Sequence, residues 1–144
     1  MSEFAKPWSF SLPDELEAID DPKWRVEAGE YFASLDREKM FVRAWLPIQI
    51  ENLGTWRAGV WVELRRSDSD RLDAAWGKPE YVGFELTGWV ANDVVKGLGQ
   101  PLPFGTEVVL RAYELGQPPE ILSPVMPVWG QRAFEFLARA RGLM

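Results

Sequence analysis

Two residue types are missing from this chain, and their absence decides which chemistry is open to it: there is no Cys and no His. Zinc, copper and iron sites rely on thiolate and imidazole ligands, and Ser-His or Cys-His nucleophile pairs need an imidazole base. Any catalysis must therefore fall to Asp, Glu, Lys, Tyr or Arg. Two carboxylates on one sheet face can have their pKa values pushed apart and so serve as acid and base; Glu63, Glu85 and Asp93 are the candidates. In the simpler reading Glu63 and Glu85 are solvent-face strand residues paired with Arg65 or Arg111. A hard cation held by carboxylates is the metal chemistry still open, and Asp68, Asp70 and Asp73 start like a calcium loop. That pattern breaks at Leu72, at Asp73 where Gly is required, and at Pro79 where a bidentate Glu belongs. Ser67 or Asp68 capping a helix that runs to about Trp76 accounts for the same residues. The string GLGQPLPFG, residues 97–105, lacks the Gly-Lys-Ser/Thr ending of a phosphate loop and runs into a strand. No metal or cofactor is expected.

Binding chemistry is better represented. The chain has 8 Trp, and two readings compete for them. In one, Trp24, Trp45, Trp61, Trp76, Trp89 and Trp129 fill a core between sheet and helices, where a large ring buries much area. In the other, Trp8, Trp56 and Trp89 stand on an open sheet face as anchors for a partner, since Trp, Tyr and Arg dominate binding hot spots. A pocket between the sheet and residues 92–105, lined by Trp61, Phe84, Trp89 and Phe104, would take a small ligand. The candidate ligand- or partner-binding set is therefore Trp8, Trp56, Trp61, Phe84, Trp89 and Phe104.

The formal net charge of −6 is unevenly placed: residues 1–40 hold ten Asp or Glu against five Lys or Arg. Phosphate contacts need a basic stripe, so DNA and RNA are excluded as expected partners. A basic protein could meet the acidic N-terminal third, although such a face also serves simply as a solvated surface. No apolar run approaches the roughly 18 residues of a membrane span. The start, MSEFAKPWSF, has neither a basic n-region nor a long apolar stretch, so a cytoplasmic setting is expected.

The stretch that must position these groups is Trp56 to Asn92, which reads as two strands joined by a short helical excursion. Upstream, Phe4, Trp8 and Phe10 alternate in a loosely attached lead, residues 1–12, suited to a short edge strand or a strip over the core. A short helix follows Ser11, with Pro13, Asp14 and Glu15 at its start and Leu16 and Ile19 on one face; it ends before Asp20-Asp21-Pro22. Trp24 to Leu35 is ambiguous between strand and helix. Met40 to Ile50 alternates as a strand with Val42, Ala44, Leu46, Ile48 and Ile50 on one side, and a turn at 51–55 makes a hairpin over about 40–65. Pro47 cannot donate to a ladder, which puts an edge or a bulge there.

Tyr81 to Val90 predicts a further strand, with Gly83 and Gly88 marking a bulge or the close passage of another backbone. Residues 92–105 predict a mobile loop. Thr106 to Tyr113 and Glu120 to Ser123 predict a second hairpin. A helix from about Pro127 would bury Trp129, Ala133, Phe136, Leu137 and Ala140, with Arg132, Glu135 and Arg139 opposite. The fold expected is α+β: a single domain, residues 1–144, with a mainly antiparallel sheet of about five strands, a short N-terminal helix and a C-terminal amphipathic helix.

In that order MFVRAWLPIQI, GVWVEL, LDAAW, GWVAN (Gly88 to Asn92), the Leu-Gly loop, TEVVLRAY and PPEILS resemble the bacterial domain of unknown function 2199, over about Met40 to Phe134. Members of that family often begin with a CxxCG segment and carry a His in an Asp-His-Pro motif near the last helix. Here the start has no Cys and the corresponding dipeptide is Met126-Pro127, so a metal or polar site built on those residues is lost. The resemblance implies a fold and a bacterial cytoplasmic setting, and it transfers no activity. The leading expectation is a non-catalytic protein-binding domain of immunity or adaptor type. A small-ligand pocket at 92–105 and a carboxylate-dependent enzyme are the alternatives.

Overall fold

A computed structural model describes residues 4–21 and 23–144. In chain order the elements are β1 (Trp8–Ser9), α1 (Asp14–Glu17), β2 (Val26–Ala28), β3 (Phe32–Leu35), β4 (Lys39–Ile50), β5 (Gly54–Leu64), α2 (Arg66–Ala75), a 3-10 turn (Pro79–Tyr81), β6 (Glu85–Val90), α3 (Val94–Leu98), β7 (Glu107–Arg111), β8 (Glu120–Ser123) and α4 (Gln131–Ala140). Alternation in the sequence decides the two longest strands. Val42, Ala44, Leu46, Ile48 and Ile50 of β4 face the same way as Trp56, Ala58, Val60, Val62 and Leu64 of β5, and all are buried.

These two strands are long enough to serve several neighbours each. The free edge of β5 takes β1 in parallel at Ala58 and Gly59, then β6 at Val62 and Glu63. The free edge of β4 takes β3 at residues 39–42, β8 at Trp45 and an isolated bridge from Ile50 to Trp129. In consequence β5, β6, β7, β8 and β4 form a closed five-stranded ring. So small a barrel is filled by its own side chains. The expected single α+β domain with a mainly antiparallel sheet of about five strands is this barrel, with β1, β2 and β3 added at its margins.

Pro47 sits inside β4 without breaking it. The N–H groups of Arg43 and Trp45 donate away from β5, to Tyr31 O and Pro119 O. Alternation puts the Pro47 nitrogen on that same outer side, between neighbours, where a missing donor costs no ladder bond. Gly88 is required by close approach: a Cβ there would lie 2.5 Å from Val62 Cγ1 and 2.6 Å from Glu63 O.

Aromatic rings fill both ends of the barrel. At the β4–β5 turn, Phe134 of α4 lies edge-on to Trp56 (5.2 Å), Trp129 (5.6 Å) and Phe4 (5.8 Å). At the other end Trp76 meets Phe32 and Tyr81, both at 5.0 Å. A second cluster lies on the outer face of β4 and β5, where Leu16 of α1 packs with Phe41, Trp61 and Ala91.

Several local expectations are overturned. Residues 4–12 are not loosely attached. Lys6 N donates to Leu143 O at 2.9 Å, Phe10 N to Gly59 O at 3.0 Å, and the Trp56 and Trp61 indoles donate to Lys6 O and Phe10 O. Residues 1–3 of that lead, and Pro22 in the expected boundary of α1, lie outside the described residues. Helix α2 begins at Arg66 with no side-chain cap, so neither Ser67 nor Asp68 is the cap; Asp68 pairs with Arg71 at 3.1 Å. The strand expected from Tyr81 starts at Glu85, because Pro79 sets a 3-10 turn that sends the Tyr81 ring inward.

The stretch 92–105 is not an open loop. It contains α3, capped by Asp93, whose carboxylate accepts from Lys96 N at 2.9 Å, and it buries Leu98, Gln100 and Leu102. Helix α4 presents a different face from the expected one. Phe134 and Ala138 are buried, whereas Phe136 is 80% exposed and Ala133 and Ala140 face solvent. Trp129 precedes the helix and joins the sheet by its bridge, so it does not set the helical register.

Candidate functional site

The six candidate residues do not form one site. Trp56 and Trp61 are core residues at 2% and 0% exposure, which overturns Trp56 as an open-face anchor. Trp8 is half-buried against Phe10 at 4.7 Å, with the Arg141 guanidinium 4.3 Å from its ring. Phe84 and Trp89 are half-buried under Arg71 (5.0 Å) and Arg65 (5.4 Å), and Phe104 is exposed. Neither of the two hollows that stand out in the surface has Trp61, Phe84, Trp89 or Phe104 in its lining. The core reading of the tryptophans needs one correction, since Trp24 is 44% exposed.

The pattern around these rings is regular. Arg43 covers Trp61 at 4.8 Å, Arg57 covers Trp45 at 5.0 Å, and Arg65, Arg71 and Arg141 cover the three rings just named. A guanidinium over a ring face is attracted by the ring quadrupole, by about 0.5–1 kcal/mol at exposed sites. Burial lowers the pKa of the half-buried Arg43, with Glu30 and Tyr31 opposing that shift. The barrel's arginines are thus held on its own aromatics.

The carboxylates proposed as acid and base do not converge. Glu63 stands opposite Trp89 and Glu85 opposite Arg111, four residues apart along β6, so about 13 Å separates their positions. Asp93 is exposed and occupied as the α3 cap. Asp68, Asp70 and Asp73 all lie on α2, and among the described residues no group of three or more acidic side chains is placed to hold a metal ion. No helix among them is long and apolar enough to cross a membrane.

Two residues that the sequence reading passed over hold the molecule together. Asn92 is fully buried; its Oδ1 accepts from Trp61 N at 2.7 Å, and its Nδ2 donates to Leu12 O at 2.9 Å and Asp14 Oδ1 at 3.0 Å. Asp14 accepts from Asp93 N at 2.6 Å. The GWVAN end therefore clamps α1 to the barrel. Tyr81 donates its hydroxyl to Gln117 O at 2.6 Å, and burial raises its pKa well above the ordinary tyrosine value. An Asn following an apolar strand was the available signal for the first; nothing in the spacing marks the second.

The feature that stands apart from the barrel is the β2–β3 hairpin. β2 pairs only with β3 and lies at the end of the strand order. Residues 23–30 are all exposed. Gly29 N donates to Phe32 O and Arg25 O accepts from Asp36 N, which leaves the alternate N–H groups of Val26 and Ala28 turned away from β3. From residue 14 to 38 there are nine Asp or Glu against three Lys or Arg, and two of those bases, Arg25 and Arg37, already reach Glu27 at 2.9 and 3.6 Å. Lys39 binds Glu15 at 2.7 Å, which raises the lysine's pKa.

The fold is an α+β domain built on a small closed barrel with a charged hairpin at one margin. Residues 2–125 match a family described as an uncharacterized protein conserved in bacteria (DUF2199), and the chain belongs to that family. The match extends to the N-terminal third, which the motifs from Met40 onward left out, and it stops before α4. No curated protein and no solved structure matches the chain.

Proposed function

We propose that the protein is a non-catalytic protein-binding domain of immunity or adaptor type, working in the bacterial cytoplasm, whose β2–β3 hairpin receives a basic protein partner. The observation that carries this reading is the unpaired edge of β2 in an acidic surround. A strand edge with free N–H and C=O groups is a template for an added strand. In the same stretch of chain Glu17, Asp20, Glu30 and Glu38 are exposed, and Trp24, two residues before β2, is 44% exposed with Lys23 Nζ 5.5 Å from its ring. Such a surface draws a positively charged partner electrostatically and fixes it by backbone pairing and one aromatic contact. The arginines of the barrel strands lie over its rings, and Glu17, Asp20, Glu30 and Glu38 have no ion-pair partner among the described residues.

The test compares capture from lysate of the source bacterium by the wild-type chain and by a variant with Glu17, Asp20, Glu30 and Glu38 changed to Gln. All four are exposed and outside the core. The reading expects a basic protein recovered by the wild type at low salt, lost at high salt and lost by the variant. Recovery of the same proteins by both chains would contradict it.

A further inference from the structure

A cavity of about 460 Å³ opens at the β4–β5 turn end of the barrel, away from residues 92–105. Its floor includes the outer-face side chains Trp45 and Arg57, its walls include Phe4, Pro7 and Leu53, and Glu114 and Gln117 lie at its rim from the connection between β7 and β8. Its size is in the range of small-molecule sites, which join an apolar wall to a few placed polar groups.

The polar groups are incompletely satisfied. Trp45 Nε1 is buried with no hydrogen-bond partner among the described residues, an uncommon condition for an indole N–H. Arg57 lies over the Trp45 ring and reaches Glu120 only at 3.4 Å, long for a charge-assisted bond. Glu114 is exposed and has no ion-pair partner among the described residues. A simple anion would meet Arg57 but face Glu114, and a simple cation would do the reverse.

We infer that this cavity binds a small zwitterion, a free α-amino acid with an apolar side chain. Its carboxylate draws Arg57 from Glu120 above the Trp45 ring. Its ammonium meets Glu114 and the Gln117 amide oxygen, and its side chain lies on Phe4, Pro7 and Leu53. This site is independent of the hairpin and of the partner proposed for it.

The test follows the indole N–H signals of the ¹⁵N-labelled full chain by NMR, with the Trp45 signal assigned from Trp45→Phe. Titration with L-leucine or L-phenylalanine is expected to move that signal and to saturate at about 1 mM or below. N-acetyl-L-leucine and L-leucinamide each lack one charge and are expected to bind at least about tenfold more weakly, a loss of one favourable charged contact. Arg57→Gln is expected to weaken L-leucine binding at least tenfold. Glu120→Gln keeps the guanidinium and removes its competitor, so it should tighten binding several-fold; a variant that merely disturbed folding would not. No movement of the Trp45 signal up to about 10 mM of either amino acid, equal binding of a blocked form, wild-type affinity in Arg57→Gln, or weaker binding in Glu120→Gln would each overturn the proposal.

Discussion

Asn92 shows how one side chain can hold elements far apart in sequence. It satisfies the Trp61 N–H of β5, the Leu12 carbonyl ahead of α1, and Asp14 inside α1. Removing it leaves a buried donor and two part-buried acceptors without this partner, the buried donor alone at about 1–3 kcal/mol. Asn92→Ala should therefore lower the unfolding free energy by roughly 2–4 kcal/mol in urea denaturation; a change under about 0.5 kcal/mol, the range of an ordinary surface substitution, would show the clamp to be incidental. Tyr81 adds a pH dependence. Its pKa is raised in the folded state, so the neutral hydroxyl is the form the fold stabilises. That contribution is complete below the unfolded value of about 10 and declines as pH rises above it. Urea melts between about pH 9 and 11 should show wild type losing stability more steeply than Tyr81→Phe, and identical slopes would contradict the assignment.

Helix α4 poses the clearest question among the elements, because two apolar faces compete in ten residues. Ala133, Phe136 and Ala140 form one plausible stripe; Phe134, Leu137 and Ala138 form the other, and the fold uses the second. Counting Trp129 into the helix tips the periodicity toward the wrong stripe, although that residue belongs to a bridge with Ile50. Phe134→Ala should cost about 3–5 kcal/mol by emptying the aromatic plug, and Phe136→Ala about 0.5 kcal/mol or less. Equal costs in thermal or chemical denaturation would reverse the assignment. The β4–β5 hairpin was legible for the opposite reason: its alternation runs through ten core positions and admits no second register. Gly88 was likewise readable as a place of close backbone approach. The short helix after Asn92 was not, since five residues hold too little periodicity and the glycines around them read as loop. Barrel closure was also hidden, because it rests on one parallel contact at Trp45 that no local pattern announces.

Across the whole molecule, charge and aromaticity are sorted into two regions. In and around the barrel, five arginines lie over buried or half-buried rings. At the margin, residues 14–38 carry acid in excess, and the hairpin within them has an open strand edge and Trp24. The candidate binding residues taken from the sequence fell mostly in the first region, because residue type alone cannot tell a ring covered by an arginine from one that is bare. Burial, which depends on tertiary contacts of high sequence separation, takes Trp56 and Trp61 off the surface and leaves Trp24 on it. We propose that function lies in contact made at the hairpin, and hydrogen–deuterium exchange on the complex with the captured basic partner is the sharpest check on it. Slowed exchange concentrated in residues 23–38, with Val26 and Ala28 amides among the most protected, is the predicted result. Protection centred on α4 or on the barrel, with the hairpin exchanging as in the free chain, would contradict it.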